Sequence, residues 1–183
     1  EDVTIMTTIA GFQLKHKQME DAEQYLDRVL EKRPNFFPAR MLSGEIAIQK
    51  RDFPQAIAIF DQLAQEEPRA YRVHYFSGLA HLGKGEIQLA KASLAKAVEL
   101  NPNHVKAKML QAEIALKERD FGNAQKLATE VLAINPKEYR SRLMLGNALM
   151  AQGKVAEARD AFNTLIAEDP QNPVGFYRLG LLQ

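Results

Sequence analysis

The sequence predicts an all-α fold in which five helix–turn–helix repeats of 34 residues follow one another as an α-solenoid. The first observation is a proline every 34 residues, and the second is that unrelated residue types keep the same period. Repeats of this length stack on their neighbours and bury a continuous core, so they form solenoids. The periodic prolines are Pro34, Pro68, Pro102, Pro136 and Pro170.

Several columns of residues keep this register when the proline is taken as position 32 of each repeat. Position 20 is always alanine, position 8 is always glycine or alanine, and position 24 is mostly a large apolar residue. Small residues let two helices approach closely, and larger ones fill the space beside them. The repeats then span 3–36, 37–70, 71–104, 105–138 and 139–172, with a sixth first helix at 173–183.

Each repeat supplies two helices, and turn residues separate them. Gly83, Gly85 and Gly153 are predicted to form within-repeat turns, because glycine adopts a positive φ at little cost. Asp52 and Asp120 are predicted to cap the second helices that follow them, and Pro54 suits a first helical turn. The first helices are expected near 4–15, 37–50, 71–83, 105–118, 139–152 and 173–182. The second helices are expected near 20–32, 54–66, 86–100, 122–134 and 155–168.

These columns resemble the tetratricopeptide repeat family over almost the whole chain. The resemblance implies a right-handed superhelix, a single array over 1–183, and a protein–protein interaction scaffold rather than an enzyme. Two columns depart from the family: position 4 is mostly basic instead of large and hydrophobic, and position 11 carries no tyrosine. In their place, the first helices carry apolar pairs at positions 5 and 6, such as Met41-Leu42 and Met109-Leu110.

The resemblance also implies a binding groove, which the family forms on its concave face from positions 2, 5, 9, 12 and 13 of the first helices. Positions 5, 9 and 12 share one face of a helix, which supports this grouping. Apolar residues at this spacing also suit packing between repeats, and that alternative stays open. The candidate groove residues are Met41, Tyr75, Met109, Leu143 and Tyr177 at position 5, with Glu45, Glu113 and Asn147 at position 9.

A basic edge is predicted beside this groove. Arg72, Lys106 and Arg140 occupy position 2, where a cation in the first helical turn opposes the helix dipole. One hypothesis is that the edge attracts an anionic ligand, such as an acidic peptide. The alternative is that these residues, with the basic residues of position 4, pair with acids that end the preceding second helices. Those acids are Glu66, Glu67, Glu99, Glu130, Glu168 and Asp169.

Composition and motifs narrow the classes of function. Lys and Arg total 24 against 23 Asp and Glu, so no global charge favours nucleic acid or a membrane surface. The chain has no cysteine, and its four histidines fall in no metal-ligand spacing. No apolar run is long enough to span a bilayer. We therefore expect no catalytic residues, cofactor, metal or nucleic-acid partner, and the family's carboxylate clamp for chaperone tails is matched only at Asn147.

The expected partner is a protein or peptide. The basic position 4, the apolar pairs and the segment 133–136 resemble repeat proteins of bacterial envelope, exopolysaccharide or export systems, including those associated with PEP-CTERM sorting. That resemblance favours the periplasm or cell envelope over the cytoplasm. The alternative is a regulatory or substrate-docking arm of a larger enzyme. The apolar segment 174–182 and the broken sixth repeat suggest a fragment of a longer protein, and also self-association through end helices.

Overall fold

A computed structural model describes residues 2–182, and every regular element within them is an α-helix. Glu1 and Gln183, the two ends of the predicted array, lie outside the described residues. The first helices of the repeats are α1 (Val3–Lys15), α3 (Phe37–Gln49), α5 (Tyr71–Lys84), α7 (Val105–Lys117), α9 (Tyr139–Ala151) and α11 (Pro173–Gly180). The second helices are α2 (Met19–Lys32), α4 (Phe53–Glu66), α6 (Ile87–Leu100), α8 (Phe121–Ile134) and α10 (Val155–Glu168).

The helices form two compact units, divided between Asn101 and Pro102. In the first unit, α1 packs on α2, α3 on α4 and α5 on α6, and the first helix α3 also contacts α1 and α5. In the second unit, α7 packs on α8 and α9 on α10, while α11 packs on α10. Each unit is thus built by stacking helix pairs on one another. That the whole array behaves as a single domain stays a prediction.

Positions 8 and 24 approach each other closely in three of the repeats. A Cβ atom added to Gly44 would lie 2.5 Å from the Phe60 ring, and one added to Gly78 would lie 2.8 Å from Leu94. Gly146 stands against the Phe162 ring in the same way. The position-24 side chains are fully buried in these repeats. The predicted role of the small residues at position 8 is therefore confirmed.

The turns between paired helices follow the sequence in part. Asp52 and Asp120 accept the backbone N–H groups of Gln55 and Asn123 at 3.1 and 3.2 Å, as predicted for helix caps. Gly85 and Gly153 have φ of 86° and 73°, so they form the expected left-handed turns. The prediction for Gly83 was wrong.

Gly83 lies in the last turn of α5, where an added Cβ would overlap the Phe53 ring. Close packing rather than a turn therefore accounts for glycine there. The left-handed turn position is instead position 15 of the repeat. In the other three repeats this position is taken by the basic residues Lys17, Arg51 and Arg119, with φ near 62°.

Candidate functional site

The first helices present two sides with different surroundings. On the side that faces the second helix of its own repeat, which we call the inner side, Arg40 of α3 binds both oxygens of Glu66 at 2.6 and 2.7 Å and Gln62 at 2.9 Å. Only 11% of the Arg40 side chain is exposed. Because Arg40 is held by three acceptors and covered by neighbouring side chains, it stabilises the fold and is not available to a ligand.

The opposite side, which we call the first-helix face, carries positions 2, 6, 9 and 13. In the first unit, Arg72 of α5 donates to Glu45 of α3 at 3.0 Å and lies 5.9 Å from the centre of the Phe76 ring. The Arg72 side chain is 58% exposed. Tyr75 is half-buried beside this pair, and its burial, together with the Glu45 carboxylate, raises the pKa of its phenol. Tyr75 is therefore a neutral phenol at physiological pH, close to the Glu45 carboxylate.

The second unit repeats this arrangement 68 residues later. Arg140 of α9 donates to Glu113 of α7 at 2.5 Å, and 68% of its side chain is exposed. On the inner side, Arg142 binds Glu168 at 3.0 Å and the carbonyl oxygen of Pro136. The two units thus place equivalent cations on equivalent sides. Since position 9 belongs to one repeat and position 2 to the next, the exposed pair always joins two consecutive first helices.

The structure resolves the predicted basic edge into two sets of residues. Position-4 residues Arg40, Lys108 and Arg142 pair with Glu66, Glu130 and Glu168, which belong to the second helix of the same repeat and not of the preceding one. Position-2 residues Arg72 and Arg140 pair with the candidate groove acids Glu45 and Glu113, which the predicted set of partners did not include.

Lys106 is the third position-2 residue and has a different environment. Its side chain is exposed and makes no ion pair with the described residues. Glutamate is missing at the related place in the sequence, because the residue 27 positions before Lys106 is Leu79. The basic edge is therefore not uniform.

The position-5 candidates are distributed between core and surface. Met41 is 5% exposed and packs with Phe60 in the core of the first unit, so for Met41 the packing alternative applies. Met109 and Leu143 are half-buried against core clusters of the second unit. Tyr177 is 65% exposed, with the Arg178 guanidinium 5.9 Å from its ring centre. Position 5 thus supplies mainly packing.

Asn147 is the position-9 residue of α9. It is half-buried, and its Oδ1 atom is buried without a hydrogen-bond partner among the described residues. An unpaired buried carbonyl is costly unless a donor reaches it. The Tyr139 and Ser141 hydroxyl oxygens of the same helix are likewise buried without a partner among the described residues, so Asn147 is not singled out as a ligand contact.

An open cleft of about 510 Å³ lies on the first-helix face of the first unit. It brings the predicted residues Glu45 and Arg72 together with seven residues outside the candidate set. Four of these seven occupy positions 9, 12 and 13, which the family resemblance assigns to the groove. Position 6, which carries Thr8 and Leu42, lies three residues from position 9 and shares its face, a signal that could have identified both residues. The additional lining residues are Thr8, Gly11, Phe12, Leu14, Lys15, Leu42 and Gln49.

A second cleft of about 360 Å³ is lined mainly by residues of α2, α3 and α4. Its charged lining residues include Glu23 and Lys50, which pair at 2.6 Å, and Arg40, which is held by Glu66. Hydrogen bonding to Glu23 raises the pKa of the Lys50 ammonium group. Both of these cations are thus paired, whereas Lys15 in the cleft on the first-helix face has no ion-pair partner among the described residues.

Within residues 2–182, His, Asp and Glu side chains form no group of three that could hold a metal ion. Over the same residues, no helix has the length and apolar character needed to cross a membrane.

Sequence comparison finds tetratricopeptide repeats along most of the chain. One family model described as "Tetratricopeptide repeat" matches residues 47–114 and 115–175, and a second model with the same description matches residues 13–71. No curated protein sequence gives a significant match to the chain.

Solved structures of tetratricopeptide repeat proteins share the fold. One from Parabacteroides merdae aligns over 98% of this chain and 72% of its own, with 17% identity and a TM-score of 0.79. One from Thermus thermophilus aligns over 99% and 98%, with 14% identity and a TM-score of 0.73. YrrB, described as having an unusual peptide-binding site, aligns over 96% and 91%, with 18% identity and a TM-score of 0.74. The predicted class, an α-solenoid of helix–turn–helix repeats, is confirmed.

Proposed function

The chain belongs to the tetratricopeptide repeat family, and from this premise we propose that it is a protein-interaction scaffold that binds a peptide or a segment of a partner protein on its first-helix face. The observation that carries the proposal is the contrast between the two sides of the first helices. Arg40 is covered on the inner side, while the Glu45–Arg72 pair borders an open cleft. Proteins of this family bind protein or peptide partners, and YrrB carries a peptide-binding site.

The exposed Glu–Arg pairs suit polar recognition of a peptide. Arg72 and Arg140 each hold one carboxylate and keep further N–H groups available, because a guanidinium carries five donors. A backbone carbonyl or acidic side chain of a ligand can bind these donors without breaking the pair. The neighbouring Tyr75 and Phe76 rings meet at 5.1 Å and 64°, and they supply apolar contact area beside the charges.

A peptide selection tests this proposal. Phage displaying random 16-residue peptides would be selected on residues 1–183, and synthetic copies of the enriched peptides would be measured by fluorescence anisotropy. We expect Arg72→Ala with Arg140→Ala to weaken binding by about tenfold or more, since anchors at an interface carry most of the affinity. The matched control is Asp61→Ala with Lys126→Ala, which changes exposed residues of the second helices α4 and α8. Absence of enrichment, or equal loss in both variants, would contradict the proposal.

For the cellular setting we propose an assembly in the bacterial envelope or an export system, with a docking arm of a larger enzyme as the alternative. The apolar pairs at positions 5 and 6 and the basic position 4 support the first setting. Reading the complete gene separates the two. A lipoprotein signal supports the envelope assignment, and an appended transferase or kinase domain supports the docking arm.

Self-association through α11 is a further proposal, supported by the exposed side chains of Phe176, Tyr177 and Leu181. Light scattering over a concentration series tests it on the wild type and on Phe176→Asp with Leu181→Asp. A mass that rises with concentration only in the wild type supports the proposal. A monomer in both proteins contradicts it.

A further inference from the structure

The cleft on the first-helix face of the first unit is formed by α1 and α3, with Arg72 of α5 at one edge. Its volume of about 510 Å³ lies within the range of ligand sites in proteins. The apolar lining includes Phe12, which is 60% exposed, and Leu42, which is partly buried on the core of this unit. Thr8 and Gln49 add neutral polar groups. The cleft thus offers an apolar surface that solvent reaches directly.

Gly11 of α1 lines this cleft, and packing does not require a glycine there. A Cβ at Gly11 would meet only Leu42 Cδ1, at an ordinary contact distance of 3.7 Å. By contrast, a Cβ at Gly44 or Gly78 would overlap a neighbouring side chain. Glycine inside a helix is less stable than alanine, and its usual benefit is close approach of another group. Gly11 thus lies in the interior of α1, and its missing side chain leaves open space in the cleft.

The charges around the cleft favour an acidic occupant. Lys15, Glu45 and Arg72 are its charged lining residues, which leaves one positive charge after Glu45 and Arg72 pair at 3.0 Å. Lys15 has no ion-pair partner among the described residues. It lies four residues from Gly11, so both residues project from one side of α1. A ligand carboxylate near the floor of the cleft can therefore form an ion pair with Lys15.

We propose that this cleft is a subsite for an extended peptide segment in which a leucine- or phenylalanine-sized side chain sits on Gly11 against Leu42, and a nearby aspartate or glutamate pairs with Lys15. This subsite rests on the proposed function, since it requires that peptides bind the first-helix face. It adds the chemistry of the ligand, an apolar anchor followed or preceded at short range by a carboxylate.

The enriched peptides of the phage selection provide the probe, as fluorescein-labelled synthetic copies. We expect them to share a large apolar residue within about three positions of an acidic one, the reach of neighbouring side chains on an extended strand. Gly11→Leu fills the floor of the cleft and should weaken their binding about tenfold or more, as expected when one apolar anchor is excluded. Gly11→Ala is the smaller matched change, and its thermal unfolding shows that position 11 accepts a side chain.

Swapping the charges of Lys15 and of the acidic ligand residue tests whether the two form an ion pair. Lys15→Glu should weaken the acidic peptides, and a synthetic peptide with lysine in place of the acidic residue should regain affinity for this variant. Lys17→Glu, an exposed substitution in the next turn, is the control and should leave both affinities unchanged.

The outcomes separate the subsite from the general proposal. Peptides that bind Gly11→Leu as tightly as wild type, yet lose affinity for Arg72→Ala with Arg140→Ala, refute the subsite and leave peptide binding on the first-helix face intact. Enriched peptides without an acidic preference, or without rescue in the charge swap, refute the role of Lys15. A selection that enriches no peptide refutes both proposals.

Discussion

The inner side and the first-helix face of the first unit carry the same residue types for opposite reasons. Gly44 and Arg40 lie on the inner side of α3, where the Phe60 ring and the Glu66 carboxylate occupy the adjacent space. Gly11 and Arg72 lie on the first-helix face, where the space beside them is open to solvent. The residue type alone therefore does not say whether a glycine or arginine in this chain supports the fold or remains available to a ligand.

The difference has a physical origin in what each side must satisfy. The inner side is closed by a helix of the same repeat, so every group there needs a partner of fixed shape and charge. On the first-helix face, ion pairs join consecutive first helices, and the arginines of these pairs remain more than half exposed. Substitutions on the inner side should consequently change stability, and those on the first-helix face should change binding.

The largest expected effect comes from alanine at the two glycines. Gly44→Ala should lower the free energy of unfolding by about 1–3 kcal/mol, because the new Cβ overlaps the Phe60 ring and the core must shift. Gly11→Ala should raise it by up to about 1 kcal/mol through helix propensity alone. Urea unfolding followed by circular dichroism measures both. Equal effects of the same sign would abolish the distinction between the two sides.

A smaller difference is expected between the two arginines. Arg40→Met removes a well-covered cation from three acceptors and should cost about 1–2 kcal/mol, after allowance for the partial exposure of Glu66. Arg72→Met should cost about 0–1 kcal/mol, as is usual for an exposed pair. Thermal unfolding at low and at high salt distinguishes them, since only the exposed pair is well screened. A larger loss of stability for Arg72→Met than for Arg40→Met would contradict this expectation, because the exposed pair would then stabilise the fold more than the covered one.

The smallest effect concerns pH and the junction of α5 with α6. Hydrogen bonds from Lys84 and then His81 lower the pKa of the Glu86 carboxyl below its ordinary value of 4.5. Because the pKa of Glu86 is lower in the folded state, its ionised carboxylate stabilises the fold in full above the ordinary value of 4.5. This stabilisation is lost as the pH falls from 4.5 through the folded pKa.

Glu86→Gln should therefore be less stable than wild type at pH 7, and the two proteins should converge as the pH falls below the lowered pKa of Glu86 in the folded state. Melting temperatures across a pH series measure the difference, and Glu99→Gln on the same helix pair serves as the control. If the difference in melting temperature between Glu86→Gln and wild type grew as the pH fell, the ionised carboxylate would not be the form that stabilises the fold.

Much of the fold could be predicted because it depends on local patterns. The 34-residue proline period, the small residues at position 8 and the caps Asp52 and Asp120 each act within one repeat, so the sequence reveals them directly. The turn at position 15 was found only where it is glycine. Arg51 and Arg119 adopt the same positive φ but are not typical turn residues, so composition does not reveal them.

The surface was harder to predict, because its contacts cross from one repeat to the next. Glu45 and Arg72 were both selected, yet as members of a groove and a separate edge, since their pairing depends on how consecutive first helices stack. Met41 was placed on the groove by the family's position 5, but it packs in the core. Gly11 could not be interpreted before its surroundings were known.

The recurrence of the exposed Glu–Arg pair after 68 residues defines a modular rule for engineering this array. Acid at position 9 and arginine at position 2 alternate between successive repeats, so the smallest block that preserves the pattern contains two repeats. Duplicating residues 37–104 would extend the array with its pairs in phase. Duplicating 34 residues would instead juxtapose two identical halves of the pattern, leaving a glutamate or an arginine without its counterpart at the junction.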